Sequence, residues 1–393
     1  MPSLGSPSLD QPGAVVNLLP KTPPNNVPTT PPQSNDLQRT PGIKQPISDR
    51  PDHPVNSEGA NVYFSRTNNL AGLSPEKQTE ALANAMRSVG PGKVLLLETT
   101  GPKEGSYVAE LRKSLPKALE MVPPSERPEI RFFISDGRPA IKDPAKPSST
   151  HNEFGDYLQT LNREKPGSGM VYTDNSLGVP RAVPNWANDK VFDRFKTGIQ
   201  ETITLAKELG IRSVVVDDHV GIPPDNPNKG IYSMTAFKTA NGLTTDKEVQ
   251  NIVTGRYSQV LSMIKDAGLQ PGLSTAADPA GSLRFGIDVT KLAPITNSIE
   301  MQGYRAEAAQ VQKMASNLVD TIRNNFEQYQ NVGEIKIALI TRANGVDLSE
   351  QELVRQQKVI TDLQQDLNKL FKQHSATPPH VTTSLWTHQG FYK

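Results

Sequence analysis

The chain has 393 residues, a formal net charge of +1 and no cysteine. This length is enough for one large domain or two ordinary ones, each with its own core. The nearly balanced charge gives no reason to expect nucleic acid or an acidic membrane surface as a partner. Disulfides and thiol chemistry are excluded because cysteine is absent, and no run of about 18 apolar residues predicts a membrane span.

The first 60 residues differ in composition from the rest of the chain. They hold 13 of the 34 prolines, and no aromatic residue precedes Tyr63. Such a segment buries too little apolar area to offset the entropy of ordering it, so we predict that residues 1–60 form a disordered arm. Two roles stay open for this arm, a delivery signal or tether on one hand and a passive tail on the other.

The composition of the arm also bears on where the protein acts. It is rich in Ser, Pro, Asn and Thr, and in this it resembles substrates of bacterial type III secretion. It lacks a basic start followed by a long apolar stretch, so no Sec signal is predicted. We therefore expect a protein that is cytoplasmic or exported by a non-Sec route such as type III secretion.

From residue 61 onward, short apolar segments alternate with amphipathic ones. Ser74 as N-cap, Pro75 at the first helical position and Gly90 as the stop predict the first helix. The run "KVLLLET" is apolar throughout, as in strands that are covered on both faces. Further helices are predicted at 106–121, 191–209, 246–267 and 305–328, and from Ser349 onward. Eight strands are predicted, at 61–65, 93–99, 130–136, 212–218, 271–277, 296–303, 334–341 and 380–386.

Eight strands joined by helices or long connections predict an α/β fold. The economical arrangement is a (β/α)8 TIM barrel spanning residues 61–393. A doubly wound open sheet is the alternative, although no Gly-rich phosphate motif follows the first strand. Because the sequence ends seven residues after Trp386, we expect the barrel to lack a regular eighth helix. Either the proline-rich arm covers that flank or the flank is exposed.

Polar residues collect at the predicted carboxyl ends of the strands, where barrels of this type carry their chemistry. Acids, aromatic residues and arginines at one rim predict a cleft for a sugar, because glycoside hydrolysis requires one protonated and one ionised carboxyl group. These strand ends are Ser65-Arg66, Glu98, Asp136, Asp217-Asp218-His219, Asp278, Glu300-Gln302-Tyr304-Arg305, Thr341-Arg342 and Trp386-His388.

The segment "SVVVDDHVGIPPDNP" places two aspartates and a histidine directly after a buried strand. Because side chains alternate along a strand, Asp217 and Asp218 cannot both point into the barrel mouth in the same way. We expect one to face the substrate and the other to orient a loop or a neighbouring base. The structural alternative is that both cap the following Pro-rich loop through Asx turns. We favour catalysis by Asp217 and Asp218, with Asp218 preferred because it lies farther out, and Glu300 or Asp136 as the partner.

The remaining candidates are assigned to substrate binding, and each has a structural alternative. Glu300 could equally form a salt bridge, Asp136 a turn, and Trp386 a lid on the core. The six histidines show no metal-binding spacing, so neither a catalytic metal nor a cofactor is predicted. The substrate-binding candidates are Asp136, His219, Gln302, Tyr304, Arg305 and Trp386.

Two connections, 137–190 and 220–245, are long for a compact domain and are predicted to shape the site. Within the first, Tyr172, Asn185 and Trp186 either line a wall of the cleft or pack the loop on itself.

Three segments carry a resemblance to a known family. "IRSVVVDDHVGIP" resembles the "DGI-x-h-DDH-x-G-hP" segment, with h apolar, of the bacterial family-10-like glycosyl hydrolase group. "TNSIEMQGYRAEAAQVQ" and "IALITRANG" are similar to the two strand segments that follow in that family. The likeness covers about 190–393 well and 61–190 through strand order alone.

The resemblance implies a barrel that acts on, or binds, a polysaccharide or oligosaccharide. It implies that Asp217 or Asp218 is the acid after the fourth strand, and that Glu300, Gln302, Tyr304 and Arg305 form a polar wall. Two departures stand against activity: the usual Asp-Gly pair is replaced by Arg212-Ser213, and strand seven ends without a carboxylate. A catalytically inactive carbohydrate-binding barrel, and a secreted bacterial effector that binds a host protein, therefore stay as alternatives.

Overall fold

The computed structural model describes the greater part of the chain after the arm. The ranges are 61–64, 70, 73–99, 107–135, 137–142, 153–175, 180–275, 278–303, 307–340, 342–343 and 346–386. The predicted disordered arm and the residues after Trp386 lie outside these ranges, so the disorder of the arm and the missing eighth helix stay predictions.

The strands of the described residues fall close to the predicted positions, with two short hairpins in addition. They are β1 (Asn61–Phe64), β2 (Val94–Thr99), β3 (Glu129–Ile134), β4 (Met170–Asp174), β5 (Arg181–Pro184), β6 (Ser213–Val216), β7 (Gln270–Thr275), β8 (Ser298–Gln302), β9 (Glu334–Ile340), β10 (Arg342–Ala343), β11 (Val346–Asp347) and β12 (His380–Trp386).

The α-helices connect most of these strands. They are α1 (Pro75–Val89), α2 (Tyr107–Glu120), α3 (Glu153–Glu164), α4 (Asp189–Glu208), α5 (Ser233–Ala240), α6 (Asp246–Asp266), α7 (Pro279–Leu283), α8 (Val289–Leu292), α9 (Ala308–Asn324), α10 (Phe326–Tyr329) and α11 (Glu350–Gln373). Within the described ranges, none of these helices has the length and apolar character that a membrane crossing requires.

Eight of the strands form one parallel sheet in the order β1-β12-β9-β8-β7-β6-β3-β2. β1 pairs with β2 over four residues and with β12 through Asn61↔Ser384 and Val62↔Leu385, so the sheet returns on itself as a barrel. The α/β class and the curled parallel sheet are confirmed. The doubly wound open sheet does not fit the pairing of β1 with β12.

Alternation along the strands separates an outer core from a barrel interior. On β6, Val214 and Val216 belong to the large cluster that includes the apolar faces of the helices. Val215 belongs instead to a small cluster with Leu96 on β2 and Phe133 on β3. Because these three strands are neighbours in the sheet, the small cluster marks the inward-facing positions.

The amino-terminal part of the barrel interior is filled by an ion-pair network. Arg131 on β3 donates to Glu334 on β9 at 2.6 Å and to Glu129 at 2.6 and 2.9 Å. Lys336 is 1% exposed and lies 3.4 Å from the same Glu334 carboxylate, which also accepts from Thr382 at 3.1 Å. Burial lowers the pKa of Lys336 against the opposing pull of Glu334.

The long connection 137–190 contains more regular structure than the sequence analysis anticipated. The predicted short helix is α3, and the antiparallel hairpin β4–β5 follows it. Trp186 is fully buried and packs on Phe154 and Phe195, while Asn185 donates to the Gly167 carbonyl at 2.8 Å. These two residues therefore pack the connection on itself and do not line a cleft.

Candidate functional site

Strand β6 delivers Asp217 to the carboxyl end of the barrel. Ser213, Val215 and Asp217 lie on one face of this chain segment, because side chains two residues apart share a face. Since Val215 belongs to the interior cluster, Asp217 follows it on the inward-facing side. Asp217 and Asp218 are only 4% and 5% exposed, so both carboxyl groups are withdrawn from solvent.

Asp217 is held from both its backbone and its side chain. Tyr257 on α6, itself buried, donates its hydroxyl hydrogen to the Asp217 carbonyl at 2.7 Å. The Asp217 carboxylate accepts the Asp218 N–H at 2.9 Å and caps the 3-10 turn Asp218–Val220. The structural alternative expected capping by both aspartates; the structure shows a cap by Asp217, through the N–H of the next residue.

His219 reaches back over this carboxylate. Its Nδ1 lies 3.0 Å from the Ser135 carbonyl oxygen and 3.0 Å from Asp217 Oδ2. A carbonyl oxygen can only accept, so Nδ1 carries the proton. In the neutral ring Nε2 is then unprotonated, and it lies 3.9 Å from Asp218 Oδ1.

A second polar strand end meets the aspartates from β8. The Gln302 amide nitrogen lies 3.4 Å from Asp217 Oδ1, 3.5 Å from Asp218 Oδ1 and 3.5 Å from Ser274 Oγ. Ser274 on β7 in turn donates to Glu300 at 3.4 Å. Gln302 and Ser274 thus link the carboxyl groups of β6 to buried Glu300 through a chain of long contacts.

The electrostatics of the site separate the aspartate from the histidine. Burial, reinforced by the Asp218 charge and a side-chain hydrogen bond with Asp218, raises the pKa of Asp217 well above its usual value. Burial, reinforced by the Arg138 charge, lowers the pKa of His219 to about 4. At neutral pH the ring is therefore uncharged, while burial favours the protonated form of Asp217 more than in a solvent-exposed aspartate.

The loop after β3 approaches this cluster closely. A Cβ atom added to Gly137 would stand 2.3 Å from the His219 carbonyl carbon and 2.4 Å from the Val220 nitrogen. Glycine is required here because any side chain would overlap that backbone. The close approach sets the next residue, Arg138, beside the aspartate–histidine cluster.

The structure brings together five of the predicted site residues, namely Asp217, Asp218, His219, Glu300 and Gln302. Glu98 lies at the rim as well and accepts from Ser135 at 2.6 Å. The predictions for Asp136, Tyr304 and Arg305 fall outside the described residues, and for Trp386 only the backbone, at the end of β12, is described.

Sequence reasoning missed the residues that hold the site in place. Ser274 lies within "PGLSTAA", read as a strand, and alternation along it was a usable signal for an inward serine. Tyr257 lies in the middle of α6 and gave no signal, because its partner is a backbone carbonyl far away in sequence. Arg138 lies two residues after the candidate Asp136 and was not itself assigned a role.

The prediction of no metal rested on histidine spacing alone. Asp217, Asp218 and His219 each offer a ligand atom, and these atoms lie within 4.8 Å of one another. Carboxylate oxygens and an unprotonated imidazole nitrogen are donors that a divalent cation accepts. The arrangement therefore admits a cation. The effect of a chelator on activity distinguishes a metal-free site from a site that holds a divalent cation.

No protein-family model matches the chain, and no curated protein matches it. Three similar solved structures are a modular endo-beta-1,4-mannanase from Cellulomonas fimi, a spore cortex-lytic enzyme from Bacillus megaterium QM B1551 and a chitinase from Chromobacterium violaceum ATCC 12472. Their identities to this chain are 9%, 10% and 9%, and their TM-scores are 0.42, 0.40 and 0.34. The alignments cover 87%, 86% and 72% of this chain and 68%, 72% and 69% of the respective structures.

Glycoside hydrolases are among these structural neighbours. With TM-scores below 0.5, the likeness carries no argument about which residues act. The similarity of the DDH segment to the family-10-like group stays a prediction, since no family model matches.

Proposed function

We propose that the protein is a glycoside hydrolase of (β/α)8 type that cleaves a polysaccharide by carboxylate acid/base chemistry. The observation that carries the proposal is the buried pair Asp217 and Asp218 at the end of β6, where burial and the neighbouring Asp218 charge raise the pKa of Asp217 well above its usual value. A raised pKa favours the protonated form of a carboxyl group. The pair therefore offers an acid and a carboxylate side by side, the two forms that glycoside cleavage uses.

The contacts suggest different roles for the two aspartates. Asp217 Oδ1 accepts the Asp218 N–H and Oδ2 faces the His219 ring, so Asp217 is the positioning member of the pair. The side-chain contacts of Asp218 to Gln302 and His219 are longer, at 3.5 and 3.9 Å. Asp218 is then the residue that exchanges a proton with the glycosidic oxygen.

Glu300 is the proposed partner carboxylate, reached from the aspartate pair through Gln302 and Ser274. It acts as base or nucleophile while the aspartate pair acts as acid. Substrate contacts are proposed for His219 and Gln302 and, among the residues predicted from sequence alone, for Asp136, Tyr304, Arg305 and Trp386.

The test is release of reducing sugar from a panel of polysaccharides by the wild type, Asp218→Asn and Asp217→Asn. Asp218→Asn should lower turnover by about 10²–10⁴-fold, the usual contribution of general acid–base catalysis, with an unchanged unfolding midpoint. Asp217→Asn should lower turnover less and stability more, because its carboxylate caps the turn at 218–220. Asp266→Asn, an exposed change at the end of α6, is the matched control.

Several outcomes would contradict the proposal. Full activity of both site variants on a cleaved substrate removes the catalytic assignment. Loss of activity on chelation, restored by a divalent cation, assigns the chemistry to a metal at Asp217, Asp218 and His219. If nothing is cleaved but oligosaccharides raise the unfolding midpoint, the protein is a carbohydrate-binding barrel. If neither occurs, an effector that binds a host protein takes its place.

A further inference from the structure

Two arginines beside the aspartate–histidine cluster have polar atoms that the described protein does not satisfy. The Nε atoms of Arg138 and Arg181 are buried and have no hydrogen-bond partner. The ion-pair contact of Arg138 within the described residues is to Asp174, at 4.0 Å, the outer limit of such a contact. Guanidinium groups present planar donors that match carboxylate and phosphate oxygens.

The fold brings the two arginines together from different segments. Arg181 opens β5 and stands directly opposite Asp174, the last residue of β4. Ala140, two residues after Arg138, forms an isolated bridge with Arg181, and the Ala182 N–H donates to the Pro139 carbonyl at 2.9 Å. The loop after β3 is therefore a third strand-like edge beside β5, which brings the segment of Arg138 next to that of Arg181.

Both arginines also lie near the proposed catalytic residues. Gly137 packs against the His219 backbone, which fixes the start of the loop that carries Arg138. The positive charges of Arg138 and Arg181 are both felt at His219, where each helps to lower the pKa of the ring. An anion bound by the arginines would therefore lie on the same side of the barrel as the aspartate–histidine cluster.

We propose that Arg138 and Arg181 form a subsite for the anionic substituent of an acidic sugar, and that the polysaccharide acted on contains uronic acid residues. The assignment rests on the proposed function for its link to hydrolysis. Its binding part stands on the two buried Nε atoms that have no hydrogen-bond partner and on the packing that brings their chain segments together. The Asp174 carboxylate, 4.0 Å from Arg138, offsets part of the positive charge of the two arginines before a ligand arrives.

The test measures binding of glucuronate and galacturonate to the full chain by calorimetry at constant ionic strength, against glucose, galactose and inorganic phosphate. The wild type should bind a uronate at least tenfold more tightly than the corresponding neutral sugar. Arg138→Gln and Arg181→Gln should each remove roughly tenfold or more of that affinity, because each deletes a charge-assisted hydrogen-bond donor. Arg138→Lys should lose most of it too, since lysine keeps the charge but not the planar donor geometry. Arg323→Gln, an exposed change on α9, is the control and should bind like the wild type.

The proposal is overturned if uronates bind the wild type no more tightly than neutral sugars, or if both glutamine variants keep the uronate affinity. Binding of phosphate without binding of uronates overturns the sugar assignment. Asp218→Asn should retain uronate binding, which separates this subsite from catalysis. If uronates bind but no polysaccharide is cleaved, the proposed hydrolase function is wrong and the anionic subsite stands. If a neutral polysaccharide is cleaved equally by the wild type and both arginine variants, the hydrolase function stands and the assignment of an acidic substrate is wrong.

Discussion

Both ends of the barrel interior contain buried carboxyl groups, but the partners of these groups differ. At the amino-terminal end, Arg131 and Glu334 meet at 2.6 Å, and Lys336 lies 3.4 Å from the same carboxylate. At the carboxyl end, the Gln302 amide stands 3.4–3.5 Å from the carboxylates of Asp217 and Asp218. At the first end side chains of opposite charge meet directly, whereas at the second two carboxyl groups lie beside a neutral amide and an uncharged imidazole.

The difference shows where the fold is stabilised and where a ligand can act. The Glu334 carboxylate is neutralised by the arginine beside it, whereas the raised pKa of Asp217 indicates that its negative charge is not fully compensated. In barrels of this type the carboxyl end carries chemistry and the opposite end stability. Three changes test that division.

The largest expected effect is on stability and belongs to the amino-terminal end. Arg131→Met should lower the free energy of unfolding by about 3–5 kcal/mol, because it leaves the Glu334 carboxylate buried without its main partner. The activity of each folded molecule should not change. Chemical denaturation and turnover assays on the same preparation measure both quantities.

The matched control for this change is Arg112→Met. Arg112 pairs with Glu208 at 3.0 Å on the surface, with side chains 40% and 47% exposed, so its loss should cost less than about 1 kcal/mol. Equal losses for the two variants would mean that the interior network adds no more than a surface pair.

The next effect is a pH dependence from the carboxyl end. The pKa of His219 falls from 6.5 in the unfolded chain to about 4 in the fold, because of burial first and the Arg138 charge second. Between these values the unfolded state binds the extra proton, so the imidazole destabilises the fold increasingly as pH falls from 6.5 towards 4. His219→Gln should therefore gain stability relative to the wild type on acidification, by up to about 3 kcal/mol.

Denaturation curves of His219→Gln and the wild type at several pH values within this window measure that gain. Asp217 is present in both proteins, so its own titration largely cancels in the comparison. A difference that stays constant, or that shrinks towards acid pH, would show that the histidine is not held neutral.

The smallest effect concerns the close approach at Gly137. Gly137→Ala should lower the free energy of unfolding by about 1–3 kcal/mol, because the new methyl group overlaps the His219 backbone and must displace it. Turnover should fall as well, since both Arg138 and His219 move. Gly255→Ala, in the middle of α6, is the control, because a Cβ atom there meets no atom within 4 Å. This change should raise the free energy of unfolding by about 0.5–1 kcal/mol. A tolerated methyl group at 137, with full turnover, would contradict the tight packing.

The sequence predicted the large-scale arrangement because local signals determine it. All eight predicted strands overlap a strand of the barrel, and Asp217 does follow a buried strand. The ion-pair network was missed although "IRFFISD" and "EIKIALIT" each carry charges within an apolar run. Alternation marks Arg131, Glu334 and Lys336 as inward-facing, but their meeting depends on the pairing of segments about 200 residues apart.

The hairpin β4–β5 was missed for a different reason. Its strands have five and four residues, and "MVYTD" and "RAVP" lack a long apolar alternation. Pairing across the loop, including the bridge from Ala140 to Arg181, forms the hairpin. The arginines of the proposed subsite could therefore not be joined from sequence, although both lay in a connection predicted to shape the site.

The ion-pair network at the amino-terminal end limits the route by which a ligand could reach the barrel interior. Arg131 and Lys336 close that end with side chains that are almost fully buried, and Leu96 and Phe133 fill the space beside them. A ligand of the proposed site would therefore have to reach Asp218, and leave it, from the carboxyl side of the barrel. If the proposed function holds, a polysaccharide could not thread along the barrel axis and would lie crosswise at the carboxyl end, with both of its ends outside.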